Sequence, residues 1–148
     1  MAHSVLRRPD GAKLAVFTDG EGPDLVLVTG LSGTAGFWDP LVPDLSKCYR
    51  VTRFDQRGIA GSTRGEAPLT VETLADDCRA VIAHAGCKKA ILLGHSMGGI
   101  ISQELALGDA ADVAGLILSG TWARPNPYMA ELFRARNNIM KTAPREYT

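Results

Sequence analysis

The stretch Gly94-His95-Ser96-Met97-Gly98-Gly99 has the residue types and spacing needed to present a serine hydroxyl for attack on an acyl carbon. The preceding run Ala90-Ile91-Leu92-Leu93 predicts a strand over Lys89–His95. The segment Met97–Leu107, closed by Gly108, predicts a helix. A serine raised above a sheet where a strand bends sharply into a helix sits in strained backbone. The bend crowds the positions two before and two after it, which is the reason for Gly94 and Gly98, and Gly99 lets the helix pack closely. A helix N-terminus also aims free N–H groups at developing negative charge. Ser96 is therefore the candidate nucleophile, and the Met97 N–H is one half of an oxyanion hole.

Acyl transfer needs a second donor opposite the first. The loop Thr29-Gly30-Leu31-Ser32-Gly33 follows a buried strand and can supply it, with the Leu31 N–H as the candidate. Alone, such a loop reads as a plain turn, and it gains meaning from the bend at Ser96. In Asp55-Gln56-Arg57-Gly58-Ile59-Ala60-Gly61-Ser62 the charged pair beside glycines could bind an anion; a structural role is favoured, with Arg57 and Asp55 bracing the loop behind the site. No phosphate-binding pattern follows the glycine-rich loop. Of the three histidines, His95 precedes the serine at a strand end and its side chain is expected to point away from the hydroxyl. His84 falls near the end of a helix and His3 in the first strand. No histidine follows Ser96.

The elements that position these residues are legible from periodicity. His3–Arg8 and Lys13–Thr18 flank the turn Pro9-Asp10-Gly11, a hairpin pattern. Leu25–Thr29 is a short continuous apolar run, as in a strand buried on both faces. Phe37–Lys47 has the spacing of a short helix, weakened by Pro43. Arg50–Phe54 is a further strand. Thr70–Ala85 is the clearest helix: Thr70 caps it, Val71, Leu74, Ala75, Cys78, Val81, Ile82 and Ala85 form one stripe, and Gly86 stops it. Val113–Ser119 predicts a sixth strand, and a helix is expected around Tyr128–Lys141. The alternation predicts an α/β fold with a mostly parallel sheet and helices on both faces. Left as the last strand, Val113–Ser119 would be a bare apolar edge.

Composition narrows the function classes. Sixteen basic and sixteen acidic side chains cancel, which argues against nucleic acid or an anionic membrane as partner and for a small-molecule substrate. No apolar stretch approaches the ~20 residues needed to span a bilayer, and Met1–Gly11 carries arginines without the apolar run of a secretory signal. Cys48, Cys78 and Cys87 form no metal spacing, which predicts reduced, mostly buried thiols in a cytoplasmic protein and no cofactor or metal.

The stretches "LVLVTGLSGTAGFWDPL", "YRVTRFDQRGIAGST", "ILLGHSMGGIISQELAL" and "LILSGTWARPNPYMAELFRAR" resemble the α/β-hydrolase superfamily, and more narrowly its 3-oxoadipate enol-lactonase and aminoacrylate hydrolase branch. The resemblance covers about two-thirds of the chain, from Leu25 to near Thr121, and its motifs specify the superfamily far better than the branch. It implies a serine hydrolase acting on a small ester, enol-lactone or amide-type substrate, with the oxyanion held by the backbone at Met97 and Leu31. Thr29 departs from the His usual before the glycine, at little consequence for a backbone donor. The resemblance also implies a sheet of about eight strands, of which six are supplied here, and a triad in the order Ser, acid, His. The acid and the His are not on this chain; Asp109 and Asp112 precede the sixth strand at the wrong end of the sheet. Residues 1–121 thus correspond to the N-terminal part of the core and 122–148 to the beginning of a helical cap. Gly30, Trp122, Arg124 and Tyr128 are candidates to line the pocket. Arg124 could bind a substrate carboxylate or be a solvated cap residue. A second segment of about 110–150 residues is expected to complete the fold. Acyltransferase or thioesterase chemistry, and a non-catalytic ligand-binding protein, remain as alternatives. Dehalogenation is disfavoured because it needs Asp where Ser96 stands.

Overall fold

A computed structural model describes residues 2–108, 112–124 and 126–142. Strand β1 (Ala2–Arg7) and strand β2 (Lys13–Asp19) form the expected hairpin, in register from Ala2 opposite Thr18 to Arg7 opposite Lys13. Strands β3 (Asp24–Val28), β4 (Arg50–Phe54), β5 (Ala90–His95) and β6 (Val113–Ser119) are mutually parallel, and β2 joins them antiparallel to β4. The single sheet has the order β1-β2-β4-β3-β5-β6.

This order places the functional loops. From β3 the chain moves outward to β4, then returns to the other side of β3 to make β5. The direction of winding therefore reverses between β3 and β5, and the loops leaving their C-terminal ends diverge there to leave a crevice. Those two loops are Gly30–Gly36 and the turn at Ser96.

Helix α2 (Val71–His84) and helix α3 (Met97–Gly108) cover one face. Their apolar sides close over Val16, Val26, Val28, Phe54 and Leu92, with Cys78, Val81, Ile82, Ile101 and Leu105 between them, all buried. The Thr70 hydroxyl caps α2 by accepting the Thr73 N–H at 3.2 Å. The other face has a thinner cover. The predicted helix over Phe37–Lys47 is in fact a 3-10 turn at Ala35–Trp38 followed by the one-turn helix α1 (Val42–Leu45), because Pro43 can only be accommodated in a first turn. Trp38 and Val42 from these pieces pack on Leu25, Leu27 and Val51.

Strands β1 and β6 are the sheet edges, and Leu116, Ile117 and Leu118 are all substantially exposed along β6. Helix α4 (Pro127–Thr142) follows it and buries no residue of its own. The thiols are free; Cys78 is buried, Cys87 half-buried and Cys48 exposed, so burial is less general than the sequence suggested. Among the described residues no helix is long and apolar enough to cross a membrane, and no cluster of three or more His, Cys, Asp or Glu could hold a metal ion.

Candidate active site

Strand β5 ends at His95 and α3 begins at Met97, so Ser96 alone makes the bend, with φ = 55°. Left-handed backbone costs an L-residue about 1–2 kcal/mol and persists only where its surroundings enforce it. Here three hydrogen bonds do so. The Ser96 N–H donates to the Ser119 carbonyl at 2.9 Å, and the Ser96 carbonyl accepts the Gly99 N–H at 3.0 Å and the Thr121 hydroxyl at 2.7 Å. The end of β6 thus clamps both peptides around the serine.

The glycines are dictated by contact. A Cβ on Gly94 would lie 2.5 Å from the Gly98 carbonyl oxygen. One on Gly98 would lie 2.1 Å from the Val28 oxygen, so Gly98 is small because of the end of β3, and its crowding by Gly94 is the lesser part. Gly99 faces the Thr121 side chain, and Gly30 abuts Ser96: a Cβ there would stand 3.1 Å from Ser96 Cβ and 3.5 Å from its Oγ.

The loop Gly30–Gly33 closes as a tight turn. The Gly33 N–H donates to the Gly30 carbonyl at 3.0 Å, and Ser32 at φ = 59° supplies the left-handed third position of a type II turn. Thr29, the departure from the His-Gly pattern, is buried and donates its hydroxyl to the Gly33 carbonyl at 3.2 Å, while its own carbonyl accepts Gln56 Nε2 at 2.7 Å. The N–H groups of Leu31 and Met97 have no partner among the described residues. The same holds for the Ser96 hydroxyl.

Ser96 opens into a cleft of about 290 Å³ lined by Gly30, Leu31, Gly33, Phe37, His95 and Phe133. His95 also lines this cleft, its ring stacked on Phe37 at 5.2 Å and its Nδ1 3.2 Å from Ser119 Oγ, with no hydrogen bond to the Ser96 hydroxyl among the described residues. The three pocket candidates that follow β6 differ from expectation. Tyr128 is exposed and Arg124 is exposed, and neither lines the cleft. On α4 it is Phe133 that faces Ser96, and residues five apart on a helix point roughly 140° away from each other. Trp122 is half-buried behind the wall, its ring 6.2 Å from that of Phe133 and its carbonyl accepting Gln103 Nε2 at 3.3 Å. Phe37, Phe133 and the clamp residues Ser119 and Thr121 carry no sequence signal beyond ordinary apolar and polar spacing.

Behind the site, Asp55 and Arg57 are structural, and each has its own partners. The Asp55 carboxylate accepts the Ala35 N–H at 2.7 Å and the Gly61 N–H at 3.0 Å, which ties the two loops together. Arg57 makes a two-pronged bond to Asp77 of α2, at 2.6 and 2.7 Å, and a further bond to Asp10 at 2.6 Å. The Arg57 guanidinium holds the Asp10 carboxyl well below the usual carboxylate range. His84 pairs with Ser4 and His3 stacks on Phe17, both on the hairpin side of the sheet. Asp112 lies before β6, 3.9 Å from Arg79 and remote from Ser96; Asp109 lies outside the described residues.

Comparison with known proteins agrees with this fold. A protein of Agrobacterium fabrum named as the carbamate hydrolase RutD is 30% identical over 126 residues, 84% of this chain and 48% of its own. A hydrolase of known structure from Pseudomonas aeruginosa PA01 is 33% identical with a TM-score of 0.85, covering 95% of this chain and 53% of that one. A carboxylesterase structure from Nitrososphaera gargenis is 26% identical with a TM-score of 0.84, covering 95% and 54%. The chain spans about half the length of the curated relatives it matches. The family model for the alpha/beta hydrolase fold matches residues 23–147, from the strand that carries the Gly30 loop through the bend at Ser96 to the helix above it, and the chain belongs to that family.

Proposed function

We propose that Ser96 is the nucleophile of a hydrolase that cleaves a small carboxylic ester, carbamate or related acyl compound through an acyl-enzyme. The observation that carries this is the conjunction at one point of a strained, unbonded serine, a glycine against its hydroxyl, and two unpartnered N–H groups at Leu31 and Met97. A base removes the Oγ proton as Oγ bonds to the acyl carbon. The carbonyl electrons move to oxygen, where the two N–H groups stabilise them. Collapse expels the leaving group, which takes up the proton, and water repeats the sequence to release the acid. The esterase and carbamate hydrolase names of the relatives favour hydrolysis over transfer.

His95 is not that base: its Nδ1 is engaged by Ser119, and it has no hydrogen bond to the Ser96 hydroxyl among the described residues. The base and its carboxylate partner belong, in this proposal, to a second segment that also pairs with β6. A fluorophosphonate probe on the completed protein should label Ser96, and Ser96→Ala should abolish both labelling and p-nitrophenyl acetate hydrolysis. Labelling elsewhere, or none with a folded protein, would overturn the assignment and favour a binding protein.

A further inference from the structure

A second cavity adjoins the Ser96 cleft at Leu31. It measures about 270 Å³ and is walled by Leu31, Ile59, Leu69, Val71, Leu74 and Met97. Leu31 is shared by both cavities, and Met97 is the residue next to the nucleophile. The two side chains whose backbone N–H groups face the developing oxyanion thus also form one wall of this groove. Its polar lining residues are Ser32, Thr70, Gln56 and Arg57, and the one charged group among them is already neutralised. The Gln56 amide is committed to the Thr29 carbonyl, and the Arg57 guanidinium to Asp77 and Asp10. At the rim, Leu31 and Leu69 are left 43% and 55% exposed, large apolar surface that a ligand would cover.

We infer that this groove takes the uncharged, apolar tail of the acyl group, while the leaving group occupies the cleft beneath Phe133. This rests on Ser96 being the nucleophile. An acyl carbon bonded to Ser96 carries three other groups in the intermediate. Its oxygen goes to the two N–H donors; the remaining substituents must divide between the two cavities that meet there. The Ser96 cleft has His95 in its wall beside the Ser96 hydroxyl, whereas most of the surface the groove presents is that of Leu31, Ile59, Leu69, Val71, Leu74 and Met97, so the hydrocarbon part of the substrate is the part it fits. An apolar cavity of about 150 Å³ accommodates a benzene ring, so one of about 270 Å³ has room for a tail of roughly six to eight carbons. Ile59, Leu69 and Leu74 are then the specificity-determining residues. The class of substrate is a medium-chain acyl ester or amide, in preference to an acyl group with a second charge.

The test is a chain-length series on the completed protein, with p-nitrophenyl acetate, butanoate, hexanoate, octanoate and dodecanoate. kcat/KM should rise roughly three- to fourfold per added methylene up to hexanoate or octanoate and fall at dodecanoate. Leu69→Trp, at an exposed rim position, should lower the hexanoate-to-acetate ratio by tenfold or more. It should not change the ratio of naphthyl to p-nitrophenyl hexanoate. A flat profile, a hexanoate-to-acetate ratio unmoved by Leu69→Trp, or an effect that follows leaving-group size would overturn the assignment. A protein that hydrolyses nothing would refute the nucleophile; the groove is then judged by methyl NMR with hexanamide and acetamide. Shifts of Ile59, Leu69 and Leu74 with hexanamide only would sustain it, and their absence would overturn it.

Discussion

At the scale of single residues, this molecule spends stability on geometry at one place. Ser96 is left-handed, and the glycines around it are fixed by backbone atoms that cannot yield. Gly98→Ala would drive a methyl to 2.1 Å from the Val28 oxygen, so it should destabilise by about 1–3 kcal/mol and misplace α3 relative to β3. Gly86→Ala, at φ = 70° with open space around its Cβ, should cost only the backbone term, about 1 kcal/mol. Urea melts of the two variants should separate them, and equal losses would contradict the packing explanation. The thiols give a second residue-level expectation. Burial pushes the Cys78 thiol up to about 12 and the Cys87 thiol up to about 11, which leaves both almost wholly protonated at pH 8. Ellman's reagent should therefore titrate the exposed Cys48 quickly in the native protein and the other two only after denaturation.

At the scale of elements, the loop after β4 is held to α2 and the hairpin by charge. Arg57 and Asp77 are buried together, so Arg57→Ala leaves a buried carboxylate with only Arg8, 3.0 Å away, for compensation. It should destabilise by about 3 kcal/mol, the lower end of what breaking a buried pair costs. Arg57→Lys should recover little of this because an ammonium cannot make the two-pronged bond. Asp10 adds a pH dependence. Its folded pKa is depressed, so its contribution is complete above the ordinary carboxylate range near pH 4 and is lost as pH falls through the lower folded value. The stability gap between wild type and Asp10→Asn should accordingly be constant from pH 5 to 7 and narrow only below about pH 4. A gap that instead widened on acidification would show that Asp10 is not stabilised as an anion.

For the molecule as a whole, the decisive feature is the β6 edge. Leu116, Ile117 and Leu118 lie on an apolar edge strand paired only with β5 among the described residues, which invites pairing with another chain. The 148 residues expressed alone should self-associate in sedimentation runs, and Ile117→Lys should shift them towards monomer. Co-expression with the remaining part of a full-length relative should suppress association and restore Ser96 labelling. A monomeric, active preparation of these residues by themselves would refute the requirement for a second segment.

The sequence alone sufficed for the order and type of elements, the β-hairpin, the bend at Ser96 and the glycines that allow it, because each depends on contacts within a few residues: periodicity, caps and turns. It misjudged Phe37–Lys47, where the prolines broke a helix into two short turns. It picked Tyr128 and Arg124 for a wall that Phe133 forms. Those outcomes turn on the rotation of α4 about its axis and on how β6 comes back beside β5 to clamp the serine through Ser119 and Thr121. Contacts between residues more than twenty positions apart have no local signature, and only the packed sheet decides them.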